Sequence, residues 1–457
     1  MTNNRPRVCF VTLGCKVNQA DSSAIAQLFW EADYQIVTAD EPADVVVVNT
    51  CTVTNIGDSK SRQLIRRMVR KHPESLVVVM GCYAQAAPDE ILEIEGVDLV
   101  FGTQGRSGIL DWIERVKKEG KPQNALGELW RTEEFEEFES PEGYEKSKER
   151  FQPPIKHRTR AFLKIQDGCD QNCTYCIIPA ARGPSRSRRP ENVLTEARRF
   201  VENGCQEIVL TGIHTGYYGL DFGEESGQVR NLASLINQLT DINGLRRLRL
   251  SSIEPMEYTD ELIGCIAASA KVCPHVQIPL QSGSDRVLAK MNRPYTVKEY
   301  KILLDKFRQK IPDLAVTTDI IAGFPGETEE DHSDTLAFVE KCGFAGINVF
   351  PYSRRTGTPA ASYPAQVPKQ VKERRVKDLL QAARRSQRAF VQSFLGRETE
   401  VLVERIDSAG RGIGHTPHYI TVRIPAGFQG EPLAPGKFVR LVLEEGMVYP
   451  PSPRQKS

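Results

Sequence analysis

Residues 168–176 read GCDQNCTYC, placing Cys169, Cys173 and Cys176 on one short loop directly after an apolar stretch at 161–166. Three thiolates so close together can hold three corners of an iron–sulfur cubane. A ferredoxin would supply a fourth cysteine nearby, but the next here is Cys205, beyond an intervening helical stretch. Structural zinc is the weaker reading, because it wants four closed ligands and no histidine lies in this loop. The loop therefore reads as an iron–sulfur site with one iron left open.

Working outward, strand-like runs recur at 161–166, 207–212, 247–252, 275–280, 315–322 and 346–351, with helical stretches at 191–203, 232–240, 297–310 and 329–341. Six βα units are too few for a full eight-stranded barrel, so the centre of the chain is expected to be an open, partial (β/α)6 barrel. Upstream, uniformly apolar runs at 7–13, 44–49, 76–80 and 97–101 alternate with helical stretches at 20–32, 58–71 and 106–118. Strands this apolar on both faces belong in a parallel sheet covered on both sides, which makes the first region a small doubly wound α/β domain.

Between these regions, residues 120–154 are acidic and polar with four prolines, the composition of a surface linker. Downstream, 369–394 is a basic amphipathic helix. Short strand runs follow at 398–406, 411–415, 419–424 and 438–443, punctuated by glycines. They suggest a small antiparallel β-barrel of the oligonucleotide-binding kind. The expected division is 1–120, the acidic linker 121–154, a barrel over 155–390, and a β module over 391–457.

A second set of cysteines stands outside the barrel. Cys15, Cys51 and Cys82 occur in TLGCKVNQ, VVNTCTV and VMGCYAQ, each directly after an apolar strand run. In a doubly wound sheet the carboxyl ends of parallel strands share one edge, so three cysteines distant in sequence should meet there and hold a second cluster. The other five, Cys9, Cys205, Cys265, Cys273 and Cys342, read as structural. In a chain of 457 residues with formal charge +1, no run of 18 apolar residues and no secretory leader appear. A cytoplasmic protein without membrane contact is expected, and in that reducing compartment eleven cysteines are better ligands or core residues than disulfides. The near-neutral total conceals an acidic stretch at 128–149 and a basic one at 367–457, and the basic end can bind phosphate by itself.

CxxxCxxC on the first loop of a partial barrel resembles the radical S-adenosylmethionine (SAM) enzymes. That resemblance implies that the open iron is chelated by SAM, and that an electron passed through the cluster cleaves the cofactor to a 5′-deoxyadenosyl radical. The two cysteine sets together resemble, over nearly the whole chain, the radical SAM methylthiotransferases, whose C-terminal module is a TRAM domain. KVN after Cys15 resembles the branch acting on N6-threonylcarbamoyladenosine at position 37 of tRNA. The isopentenyladenosine branch has a GCQMN-like string there, and the ribosomal-protein branch GCPKN.

The family likeness implies two 4Fe–4S clusters, held by Cys15, Cys51 and Cys82 and by Cys169, Cys173 and Cys176, with Cys51 and Cys173 the catalytic representatives of each set. SAM would act as radical source and methyl donor. Tyr175 matches an aromatic near the cofactor's adenine. Strand ends offer Gly212 in LTGIHTGYYG, Ser252 and Glu254 in LSSIEP, Gln277 and Gln281 in HVQIPLQSG, and Asp319 in DIIAGFPGET. All resemble stretches lining the cofactor site, which barrels build at the carboxyl ends of their strands. Arg182, with Arg186, Arg188 and Arg189 in IIPAARGPSRSR, is expected at the mouth where SAM and RNA meet. His214 has a family-like neighbourhood but is assigned no proton transfer.

The expected function is therefore 2-methylthiolation of threonylcarbamoyladenosine in tRNA, with an electron donor such as flavodoxin or ferredoxin and a sulfur source as partners. Chemistry on a base requires it unpaired and splayed out, and an anticodon-loop base satisfies that. Tyr419, His418 and Phe428 are candidate stacking groups, with core packing the plainer role for each. The competing expectations are the isopentenyladenosine or ribosomal-protein branch and, outside transferases, an RNA-binding iron–sulfur electron carrier.

Overall fold

A computed structural model describes residues 5–120, 123–126, 134–137, 159–222, 229–430 and 432–449. Most of the expected acidic linker lies outside the described residues. The first sheet contains six parallel strands, β1 (Arg7–Thr12), β2 (Gln35–Val37), β3 (Val45–Thr50), β4 (Leu76–Gly81), β5 (Leu99–Val100) and β6 (Gln123–Asn124), in spatial order β2-β1-β3-β4-β5-β6. The run of four valines in β3 explains the two-sided cover. Val45 and Val47 pack into the core on one face with Phe29 and Ile113, while Val46 and Val48 pack on the other with Ile65 and Tyr83. β2 and β6 are too short and polar to stand out by periodicity. The first helix (Lys16–Glu31) begins earlier than the apolar pattern suggests, immediately after Cys15.

The barrel strands are β7 (Arg160–Lys164), β10 (Glu207–Thr211), β11 (Arg247–Leu250), β12 (His275–Gln277), β13 (Ala315–Ala322) and β14 (Gly346–Pro351); a small antiparallel pair, β8 (Gln166–Asp167) and β9 (Arg186–Ser187), flanks the cysteine loop. All neighbouring barrel strands run parallel. β11-β10-β7 and β12-β13-β14 form two ladders, joined by bridges at Leu248–Val272 and Ser252–Gln277. Six strands curve as expected, and their outer face buries Leu163, Ile208, Leu248 and Val316 beneath the helices. The inner face is different. Along β13 the helix-facing Val316, Thr318 and Ile320 are buried while Thr317, Asp319 and Ile321 remain partly exposed, so the lumen is open to solvent.

The C-terminal module has strands β15 (Glu398–Ile406), β16 (Gly412–His415), β17 (Thr421–Ile424) and β18 (Phe438–Val442), all antiparallel in the order β17-β16-β15-β18. They surround a separate core of Val401, Val403, Val422 and Ile424. This sheet sits against the amino ends of the barrel strands. Arg247 donates to the His415 carbonyl at 3.1 Å, and Arg249 to those of Pro417 and Thr416 at 3.0 and 3.3 Å. Among the described residues no helix is long and apolar enough to cross a membrane.

At the opposite, carboxyl ends of the barrel strands, the first domain docks through buried charge. Asp21 of the first helix contacts Arg106 at 2.9 Å, Lys164 at 2.7 Å and Arg182 at 3.3 Å, and Asp167 binds Lys164 and Arg182 at 2.6 and 2.9 Å. Burial alone would raise the pKa of Asp21, but the three cations bring it down to about 2. Removing one partner from such a network strands the others in a low-dielectric interior. Asp21→Ala is therefore expected to lower stability by about 3–5 kcal/mol, read as a reduced urea midpoint together with faster proteolytic separation of the first domain from the barrel.

Candidate active site

β1, β3 and β4 are adjacent and parallel, and the residues after them carry Cys15, Cys51 and Cys82 to one edge. The convergence is tight. Gly14 adopts φ +128°, and a Cβ built there would lie 2.9 Å from Asn18 Nδ2 and 3.1 Å from Cys51 Cβ. Asn18, itself buried, stitches the loops together by donating to the carbonyls of Leu13 (3.2 Å) and Thr50 (2.8 Å) and to Asn49 Oδ1 (3.1 Å). Its Oδ1 accepts from the Cys15 thiol at 3.4 Å and from Arg182 at 3.1 Å. Cys82 is buried, Cys51 half-buried and Cys15 exposed, so the set opens on the Cys15 side.

The second set lies across the interface on the loop after β8. Each of its sulfurs accepts an N–H: Cys169 from Gln171 at 3.4 Å, Cys176 from Ile178 at 3.4 Å, and Cys173 from Arg293 Nη1 at 2.9 Å. Gly168, with φ +74°, has no room for a side chain, since a Cβ would fall 1.8 Å from the Pro184 carbonyl oxygen.

Both sets suit iron–sulfur clusters. Burial, followed by the neighbouring sulfurs Cys82 and Cys15, pushes the Cys51 thiol up to about 12. Burial likewise takes Cys176 to about 12, against the N–H of Ile178. Such groups become thiolates when a cationic centre compensates them, as coordinated iron does. The N–H donors on their sulfurs match the hydrogen bonding that tunes a bound cluster. Among the described residues no three His, Cys, Asp or Glu side chains close on a single metal ion.

The strand-end residues form a polar rim. Asp319 accepts from Gln277 and from Asn348, each at 2.8 Å, joining β12, β13 and β14. Gln281 has the unusual φ of +64° and exchanges backbone hydrogen bonds with Asp319 and Ile321. Ser252 bridges to Gln277 through the backbone and accepts from Thr215 at 2.7 Å. Glu254 is ion-paired with Arg293; burial raises its pKa against that guanidinium. Tyr175 packs with Phe324 and Tyr352 beside Cys173. Gly212 approaches Gln166 closely, a Cβ there meeting its carbonyl oxygen at 3.0 Å, so the room it leaves is taken by the protein's own backbone.

Arg182 is not at the rim. It is fully buried, with its donors on Asp167, Asp21, Asn18 and, at 3.2 Å, the sulfur of Cys82. Arg186 and Arg188 are also folded inward, Arg186 onto the carbonyls of Arg182 and Pro184 and Arg188 onto Glu137 and Glu196. His214 is buried between Cys169 and Glu257. Burial favours its neutral form, but these two neighbours outweigh that and raise its pKa to about 10. Of the stacking candidates, His418 packs on Phe394 at 4.5 Å and Phe428 against the C-terminal core. Tyr419 stacks on His415 at 4.8 Å and touches His275 of β12. Arg293, in the MNRPYT stretch, and Asn348 escaped the sequence reading because nothing about an isolated Arg or Asn marks it as reaching a distant loop.

Known proteins resemble this chain along its length. Uncharacterized protein family UPF0004 matches residues 7–102, the radical SAM superfamily 163–339 and the TRAM domain 392–445. The threonylcarbamoyladenosine tRNA methylthiotransferase MtaB of Bacillus subtilis is 42% identical, covering 97% of this chain and 95% of that protein. The chain belongs to the radical SAM methylthiotransferase family. The MtaB of Aquifex aeolicus is 36% identical over 87% of this chain and 92% of its own length. A tRNA-2-methylthio-N(6)-dimethylallyladenosine synthase of Corynebacterium urealyticum is also 36% identical, over 88% and 72%. Among solved structures, the radical SAM methyltransferase TsrM of Kitasatospora setae has the same fold, with a TM-score of 0.56, 14% identity, and 78% and 77% coverage. Like the rest of its family, this methylthiotransferase is a sulfur-group transferase whose cofactors are iron–sulfur clusters and SAM.

Arg293 places a guanidinium both on a cysteine sulfur and on a rim carboxylate. A positive donor stabilises the more negative, reduced form of a cluster. With a cluster reconstituted in the enzyme, Arg293→Met is expected to move the reduction potential of any cluster that Cys173 ligates to more negative values, measured by an EPR-monitored redox titration.

Proposed function

We propose that this protein attaches a methylthio group to C2 of the adenine in N6-threonylcarbamoyladenosine at position 37 of tRNA. The observation that carries the reading is that two three-cysteine sets flank one interface, across which Arg182, six residues after Cys176, donates to the sulfur of Cys82. It occurs in a chain matched along 97% of its length by a threonylcarbamoyladenosine tRNA methylthiotransferase. In this reading Cys169, Cys173 and Cys176 ligate one 4Fe–4S cluster and Cys15, Cys51 and Cys82 the other. When bound, the two clusters and SAM supply the electron, the radical chemistry, the methyl group and the sulfur.

The chain's own residues provide position and exclusion of water. Gln277, Gln281, Asp319, Ser252 and Glu254 line the SAM site, with Tyr175 at its adenine end and Gly212 keeping the neighbouring turn compact. Arg182 acts differently from a cofactor ligand: it orients Cys82 and locks the first domain to the barrel. Arg293 holds Cys173 and Glu254 in register. His214 orients Cys169. The basic helix (Lys369–Gln392) and the TRAM module grip RNA phosphates, while the unpaired base enters the lumen. Flavodoxin or ferredoxin fits as electron donor, a separate sulfur source replenishes the transferred atom, and a tRNA substrate suits a cytoplasmic enzyme.

Nucleosides from cells lacking the gene should have lost 2-methylthio-N6-threonylcarbamoyladenosine and accumulated its precursor, as read by mass spectrometry. Loss of the methylthio isopentenyl nucleoside instead would transfer the enzyme to the dimethylallyl branch. In the purified enzyme, Cys173→Ala should abolish SAM cleavage, while Cys51→Ala should retain cleavage and stop sulfur insertion. Methylthiolated tRNA from Cys51→Ala would overturn the second-cluster assignment.

A further inference from the structure

In the reading above, each SAM cleaved draws one electron from outside the protein, and that electron must reach Cys169, Cys173 and Cys176 through some face of the molecule. Two sides of their loop are already used. The lumen side takes SAM and the base, and the flank toward the first domain is closed by the buried joint of Asp167, Arg182 and Cys82. The outer side remains.

There Thr174, between two of the three cysteines, lines a cleft of about 360 Å³ together with Lys290, Asn292, Pro325, Tyr363 and Pro364. Thr174 is gripped from both flanks. Its N–H donates to the Met291 carbonyl at 3.1 Å and its hydroxyl to that of Lys290 at 2.9 Å, while its own carbonyl accepts from Ala360 at 2.8 Å. Asn292 donates to the Asn172 carbonyl at 2.9 Å. One peptide unit, about 3.8 Å between Cα atoms, therefore separates the cleft wall from Cys173.

We propose that this cleft is the docking surface of the electron donor, and that the donor is a small acidic carrier protein. This rests on the preceding subsection's reading that Cys169, Cys173 and Cys176 hold the cluster that is reduced.

Charge and composition argue for that partner. The two flanks, 286–298 and 351–369, contain no Asp or Glu, and their Arg286, Lys290, Lys298, Arg354 and Lys369 are exposed. The ammonium of Lys290 lies over Gly326, where a Cβ would fall 2.7 Å from Nζ, and so stands at the cleft itself. Carboxylates of the adjoining loop are matched within the protein, Asp331 by Arg286 and Glu327 by Arg375. The middle of the cleft is proline, alanine and tyrosine. An apolar centre with cations at its edge has the anatomy of a protein interface, whereas a phosphate backbone wants its cations at the centre of contact. The transfer is of one electron. The carrier is oxidised by one, the cluster is reduced by one, and no bond forms between the two proteins.

The test uses the full-length holoenzyme and SAM, reads 5′-deoxyadenosine, and compares reduced flavodoxin with dithionite, a small reductant that needs no docking surface. At low salt, Lys290→Glu should lower kcat/KM for flavodoxin by about tenfold, with the dithionite-driven rate unchanged. Lys290→Arg should keep the flavodoxin-driven rate. Two readouts are independent of turnover. Carbodiimide should couple Lys290 to a flavodoxin carboxylate, and calorimetry should show oxidised flavodoxin binding Lys290→Glu more weakly than wild type, a difference that shrinks as salt rises. Equal flavodoxin-driven rates and equal Kd in wild type and Lys290→Glu would overturn the assignment. So would a loss of anticodon stem–loop affinity in Lys290→Glu without loss of the flavodoxin-driven rate, which would make the cleft an RNA contact. Absence of 5′-deoxyadenosine from wild type with dithionite would overturn the cluster reading, and the docking surface with it.

Discussion

The joint between Asp21, Asp167, Arg106, Lys164 and Arg182 is the interaction on which the arrangement of this enzyme depends. Two folds, a doubly wound sheet and an open barrel, place their cysteines at the carboxyl edges of their strands. Chemistry between the two sets requires those edges to face each other. Five buried charged groups from both partners meet there, and Arg182 reaches through the joint to the sulfur of Cys82. Such a network stabilises little relative to a well-packed apolar joint, but it admits one registration only, because any slip leaves unpaired charge in a dry interior. A second clasp lies at Arg355, which contacts Asn55 at 2.7 Å and Asp58, just beyond the Cys51 loop.

Much of this was legible in the chain. The apolar runs became β1, β3 and β4 with little change of boundary, because four consecutive valines cover both faces of a sheet and have no other stable use. The six barrel strands fell where apolar runs alternate with helical periodicity. Cysteine placement was readable because parallel strands put their carboxyl ends on one edge. Short strands such as Gln35–Val37 and Gln123–Asn124 were not readable, since two or three residues carry no period.

The arginines after Cys176 taught the opposite lesson. A dense run of Arg reads as a solvated, ligand-facing loop, yet Arg182 is buried and matched with carboxylates from Asp21 and Asp167, which lie 161 and 15 residues away in sequence. No local signal distinguishes a guanidinium aimed at solvent from one aimed at a distant aspartate. Arg293 and Asn348 were missed for the same reason: their importance is a matter of what stands opposite, which sequence proximity does not encode. The pairing of Lys16 with Ser251 across 235 residues belongs to this class as well.

The seating of the TRAM sheet has a consequence for how RNA is held. Arg247 and Arg249 fix it by their side chains to the same strands whose far ends carry the reaction rim. The module is thus a fixed jaw set at a constant reach from the reacting centre, unlike a hand on a flexible tether. Once the jaw has closed on the phosphates of a tRNA, the modified base is presented to the lumen at a high effective concentration. Little further orientational freedom is lost on insertion. An RNA whose stem and loop do not match that reach can be bound by the jaw and still never be modified, so selection among RNAs becomes a question of length before it becomes one of sequence.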